Sequence, residues 1–287
     1  VSLLPMSSRS PNLRQSTHTH TTTTHRVVPA APAKRPVGIV EATAPPTMTD
    51  LTDKNFSFSL VCKSVAEFVG TAIFVFAGTS QWSGNGTIVV PALAHGFAIF
   101  ILVTSLGHIS GGHFNPAVTL SVFLCGKLRA ITAVSYVLSQ LAGGVVGALL
   151  TRGILTSNDY TFIHGGAPFL QAGYQWNNGL LAEILTTFFL VHTVLLTAVD
   201  DTKWQAALSI GLAVTVDIFT AGHITGAAMN PARAFGPCVV WQLLHTDHGL
   251  NGFWELHYIY WLGPAIGAFL ATALYRVFYS REGRFLK

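Results

Sequence analysis

Gly107-His108-Ile109-Ser110-Gly111-Gly112-His113-Phe114-Asn115-Pro116-Ala117 returns almost letter for letter as Gly222-His223-Ile224-Thr225-Gly226-Ala227-Ala228-Met229-Asn230-Pro231-Ala232. Both copies are too short and too glycine-rich to cross a membrane, yet both sit among long apolar segments. Each reads as a loop running into a helix, with flexible glycines, Asn as the cap and Pro at the first helical position. Two such helix starts between membrane spans imply a pair of half-helices aimed at one point.

The surrounding composition supports that reading. Of 287 residues, 50% are hydrophobic and 10% are charged, where a soluble domain carries roughly 25% charged residues. An integral membrane protein follows. The net charge of +4 is concentrated near the ends of the chain, which points to topology and not to nucleic-acid binding. Cys62, Cys125 and Cys238 are far apart and form no ligand pattern, so they read as packing residues. No metal and no cofactor is expected.

Candidate spans of about 20 apolar residues lie near 60–81, 88–107, 131–151, 179–199, 205–221 and 256–279. Between them, Val118 to Leu124 and Phe235 to Leu244 are long enough only for half-helices. Thirteen of the sixteen Lys and Arg residues lie in the amino-terminal stretch up to Lys63, between half-helix one and span three, or from Arg276 onward. Basic loops mark the cytoplasmic side, so both termini are expected in the cytosol. The Asn85 sequon then falls in an outward loop.

Residues 1–58 are rich in Thr, Pro, Ser and Ala and read as a disordered cytosolic tail. Their arginines and lysines without acids match a transit peptide in composition, though no clear amphipathic helix accompanies them. The Thr-His run (His18, His20, His25) reads as solvated, and a start upstream, at Met6 or at Met48 stays open. The channel domain is expected over 59–280, followed by a short cytosolic tail, 281–287.

Ala66-Glu67 in span one recurs as Ala182-Glu183 in span four, at nearly the offset that relates the motif copies. The chain is thus a duplicated three-span unit, with repeats near 60–151 and 179–279. Three is odd, so the second copy inserts upside down, and its half-helix meets the first near the midplane. Irregular backbone at that depth survives only against protein or a wet cavity. Gly111, Gly112 and His113, with Gly226 and Ala228, would present carbonyls along it. Asn115 and Asn230 would supply donors where the helices meet. Such a path suits a single file of water, and positive helix ends repel cations. Arg233 follows the second motif where Val118 follows the first. A charge at that depth is costly and therefore reads as functional.

The paired Asn-Pro-Ala boxes, Arg233 and the two Ala-Glu pairs make the chain resemble the aquaporin family over about residues 60–280. The resemblance implies an all-α bundle of six tilted helices and two half-helices, one pore per subunit, and a homotetramer. It also implies a narrow ring at His95, Ile218, Ala227 and Arg233. That ring, with Val216-Asp217-Ile218 and Ile259-Tyr260-Trp261-Leu262-Gly263-Pro264, is similar to the animal type-eight branch and to plant tonoplast channels. Ammonia and hydrogen peroxide are then expected beside water, with urea as a further candidate. Ala234 after Arg233, where glycerol facilitators carry Asp, argues against a glycerol channel.

Other candidates take plainer readings. Glu67 and Glu183 are expected to brace the motif loops through hydrogen bonds. Asp217 reads as a loop cap or brace. His113 lines the inner vestibule or bonds the loop, and His95 is a group able to titrate near neutral pH. His192 reads as packing, His108 and His223 as matched loop positions, and Asp200, Asp201 and Lys203 as a solvated loop. The Gly143/Gly147 and Gly263/Gly267 pairs fit close contacts within or between subunits. The rivals are a secondary transporter, which shares inverted repeats, and a structural membrane protein with a vestigial pore. An enzyme is not expected. The partners are lipid and small neutral solutes, in the plasma membrane or else an intracellular or mitochondrial one.

Overall fold

The computed structural model describes residues 57–81, 87–200, 205–244 and 251–280. The expected tails, the Asn85 sequon, Asp201 and Lys203 lie outside or almost wholly outside these residues. Regular structure among the described residues is helical throughout. In order come α1 (Leu60–Thr79), α2 (Val89–Ser110), α3 (Pro116–Leu124), α4 (Ala130–Ile154) and α5 (Ser157–Phe162). There follow α6 (Trp176–Val194), α7 (Ala206–Thr225), α8 (Pro231–Leu244), α9 (Asn251–Glu255) and α10 (Ile259–Leu274). Helices α6 and α10 continue through single π turns, Leu195–Val199 and Tyr275–Tyr279.

Six helical stretches are long and apolar enough to cross a membrane, the shortest being 20 residues. At 1.5 Å per residue, that length matches a hydrocarbon core of about 30 Å. Large apolar side chains such as Val61, Ile101, Leu138, Leu185 and Phe269 point outward. In water such a surface would aggregate; in lipid it is the solvated face.

Small residues do the inward packing. Helix α1 lies on α4, α6 on α10, and α2 crosses α7. Gly143 and Gly147 bring α4 against the backbone at Phe68 and Ala72. Gly263 and Gly267 bring α10 against Glu183 and Ile184. Both glycine pairs therefore pack within the subunit. At the α2–α7 crossing, Gly96 and Gly211 stand 115 positions apart in the chain, the offset between the motif asparagines. A Cβ on either glycine would strike the other's carbonyl oxygen.

Several expectations need correction. Helices α2 and α7 run to Ser110 and Thr225, beyond the expected ends at 107 and 221. The stop glycines are Gly111 (φ 98°) and Gly226 (φ 84°), whose N–H groups reach the Gly107 and Gly222 carbonyls at 2.8 and 3.0 Å. Left-handed backbone after the last turn is what glycine supplies. His108 and His223 therefore sit in final helical turns and not in loops. Asp217 is buried inside α7, not at a loop or helix end, and its Oδ2 has no hydrogen-bond partner among the described residues. Asp200 accepts a hydrogen bond from the Tyr275 hydroxyl at 3.1 Å, tying the two π turns together. His192 stacks on Phe188 at 5.7 Å.

The α2–α7 crossing gives a direct test. Gly211→Val forces side chain into backbone, and overpacking of this kind costs about 1–3 kcal/mol. Its thermal midpoint in detergent should fall, while Gly153→Ala, with nothing within 4 Å of the added carbon, should not destabilise the fold.

Candidate pore

The two loops between helix and half-helix have the same backbone. Positive φ occurs at Gly111, Gly112 and Phe114 in the first loop and at Gly226, Ala227 and Met229 in the second. Phe114 (φ 47°), Ala227 (φ 44°) and Met229 (φ 53°) hold that conformation with a Cβ, which costs on the order of 1 kcal/mol or more each. Something must offset the strain.

In the first loop it is Glu67, which is fully buried. Its carboxylate accepts from the Ser110 hydroxyl (2.6 Å), the His113 N–H (3.0 Å), the Phe114 N–H (2.6 Å) and the Gln140 amide (2.8 Å). In the second loop it is Glu183, also fully buried. It accepts from the Thr225 hydroxyl (2.7 Å), the Ala228 N–H (2.9 Å) and the Met229 N–H (2.7 Å). Hydrogen bonds to a charged acceptor contribute about 1.5–3 kcal/mol apiece, so two or three outweigh the strain. The Tyr136 and Tyr260 hydroxyls close each loop by donating to the Ser110 and Thr225 carbonyls, at 2.7 and 2.9 Å.

Each loop then delivers an Asn to a half-helix. Asn115 Oδ1 accepts the Ala117 N–H at 2.8 Å, and Asn230 Oδ1 accepts those of Ala232 and Arg233 at 3.0 and 3.3 Å. The amide nitrogens reach across. Asn115 Nδ2 donates to the Met229 carbonyl (2.9 Å), and Asn230 Nδ2 donates to the Phe114 carbonyl (2.8 Å). These reciprocal bonds lock α3 and α8 end to end. An amide carries two N–H groups, so one remains on each Asn.

Both asparagines line a cavity of about 590 Å³ that also takes in Gly111, Gly112, His113 and Ala228. Lys63, Lys127 and Arg129 line it as well, and among the described residues no Asp or Glu does. A second cavity of about 150 Å³ lies on the other side, lined by Gly78, Gln81, Gly166, Gly226 and Arg233 among others. His95, Ile218 and Ala227 line the first cavity and Arg233 lines the second. His95 Nδ1 faces the Pro91 carbonyl at 2.8 Å and must be the donor, leaving Nε2 as the acceptor in the neutral ring. Nε2 has no partner among the described residues. Arg233 Nη1 donates to the Gly166 carbonyl at 3.3 Å.

Reading the sequence missed several members of this assembly. Gln140 bridges Glu67 and Thr119, at 2.8 and 2.9 Å, and Thr119 pairs with His113 Nδ1 at 3.1 Å. His113 thus both lines the cavity and bonds within its loop. Gly166, in the 3₁₀ turn after α5, anchors Arg233. The spacing of polar residues inside apolar helices was the available signal for Gln140 and Thr119. Nothing local marked Gly166. Among the described residues no cluster of three His, Cys, Asp or Glu side chains is placed to hold a metal.

The sequence signature described as "Major intrinsic protein" matches residues 54–275. The chain belongs to that family. It is a passive membrane channel for water and not an enzyme. Among relatives in this aquaporin family, rat "Aquaporin-8" is 40% identical over 225 residues, covering 76% of this chain and 81% of its own. "Probable aquaporin TIP1-2" of Oryza sativa subsp. japonica is 39% identical over 231 residues, covering 75% and 86%. The X-ray structure of the aquaglyceroporin from Plasmodium falciparum shares the fold, with a TM-score of 0.65 at 22% identity over 76% of this chain and 96% of that one.

The aquaporin loops should fail when an acceptor is lost. Glu183→Gln replaces one oxygen by an N–H donor facing backbone donors, and unsatisfied buried groups cost about 1–3 kcal/mol each. The variant should lose thermal stability in detergent and water flux together; wild-type values for both would contradict the bracing role.

Proposed function

We propose that this channel conducts water together with ammonia, hydrogen peroxide and urea, while excluding protons and ions. What supports the reading is that His95, Ile218 and Ala227 line the large cavity and Arg233 the small one, which we read as a ring between them. His95 offers one acceptor, Arg233 a fixed cation, and Ile218 and Ala227 two apolar sides. An apolar half-ring wider than an aromatic one lowers the desolvation barrier for small neutral molecules, which replace few hydrogen bonds there.

The centre supports exclusion of protons. The N-termini of α3 and α8 each carry roughly half a positive charge, and the free N–H of Asn115 and Asn230 is available to a passing water oxygen. A water that accepts from both turns its hydrogens outward, toward the two mouths, so the chain of donors reverses at the centre. A proton cannot hop through such a reversal, and the positive helix ends and Arg233 oppose cations.

The basic residues at the larger mouth, Lys63, Lys127 and Arg129, support a cytosolic position for that mouth and for both termini. A homotetramer in the plasma membrane, or in an intracellular or mitochondrial one, completes the proposal. A coupled transporter would need an acid exposed to the cavity. Glu67 and Glu183 are instead fully buried and engaged by the loops.

The test is parallel flux of water, ammonia, urea and peroxide through one proteoliposome preparation. His95→Phe should keep water flux while ammonia and peroxide flux fall. Unchanged ammonia and peroxide flux would sink the filter assignment.

A further inference from the structure

We propose that Gly78, in the last turn of α1, is the seat of the His95 ring and so sets the aperture of the filter; this rests on the filter reading above. The residue is not explained by backbone shape, because it lies within a regular helix where alanine would be the more stable choice. Nor is it a helix-crossing glycine. Gly143, Gly147 and Gly267 each approach a neighbouring backbone, whereas the three atoms nearest a Cβ at Gly78 are Cδ2, Nε2 and Cε1 of His95. All three lie under 3.0 Å from that carbon, so the methyl and the ring cannot coexist as placed.

The ring is held on two sides. Its Nδ1 is tied to the Pro91 carbonyl at 2.8 Å, and the Phe74 ring, one turn before Gly78, meets it edge-on at 5.4 Å. Displaced from α1, the imidazole moves toward the opening it shares with Ile218, Ala227 and Arg233. The second repeat supports a deliberate exchange of volume. At the same offsets that relate Glu67 to Glu183 and Gly96 to Gly211, Gly78 corresponds to Val194 and His95 to Ile210. Val194 and Ile210 both line the wide inner cavity. Where the second repeat puts bulk on both helices, the first removes it from α1 and gives it to the imidazole.

The experiment is a double-mutant cycle in proteoliposomes, with Gly78→Ala, His95→Ala and the pair, each normalised to the amount of folded protein reconstituted. Gly78→Ala should cut water flux by about tenfold, equivalent to ~1.4 kcal/mol of barrier, and urea flux by more, because a narrower ring penalises the larger solute. The pair should match His95→Ala alone. If Gly78→Ala fails to reach vesicles while the pair does, the clash with His95 is confirmed as its cause. A loss that persists in the pair, failure of both to fold, or normal flux in Gly78→Ala overturns the seat. If His95→Ala itself leaves every solute unchanged, the filter reading fails instead.

Discussion

Two consecutive backbone N–H groups, at His113 and Phe114, point at one buried carboxylate, Glu67, and the arrangement repeats at Ala228, Met229 and Glu183. Backbone donors aim at a single point only when the chain turns through left-handed conformations, here at Phe114 and Met229. In lipid no water would satisfy those groups. The carboxylate therefore permits the turn, the turn sets the Asn cap, and the cap starts a half-helix. The reciprocal amide bonds between the motifs then fix the two helix ends against each other. The large cavity borders that meeting point.

Symmetry builds the centre, and departures from it make the ends unlike. The first repeat threads a polar line from His113 through Thr119 and Gln140 to Glu67. Ala228, Ala234 and Pro264 stand at the matching places of the second repeat. The second repeat has Arg233 where the first has Val118, and Ala227 where the first has Gly112. One cavity is therefore large and edged with basic side chains; the other is small and holds a guanidinium tied to Gly166.

Much of this was legible in the chain because the decisive signals are local. An Asn-Pro pair after glycines announces a half-helix, and a repeated Ala-Glu announces its brace. The ends of α2 and α7 were misread because four residues before Gly111 and Gly226 stand other glycines, and only the backbone bond to Gly107 or Gly222 shows which one stops the helix. Asp217 and Asp200 were misread for another reason. The environment of a polar side chain inside a bundle depends on residues far away in sequence, such as Tyr275 for Asp200. Gly78 shows the same limit, since a glycine near a helix end gives no local hint of a ring from the next helix.

The most direct measurement follows water and protons in the same vesicles, with stopped-flow light scattering under an osmotic step and an entrapped pH dye under an imposed pH gradient. The account predicts water flux that does not saturate, with a low activation energy, and no proton leak above that of empty vesicles. Saturable flux coupled to an ion, or proton entry that rises with water flux, would contradict it.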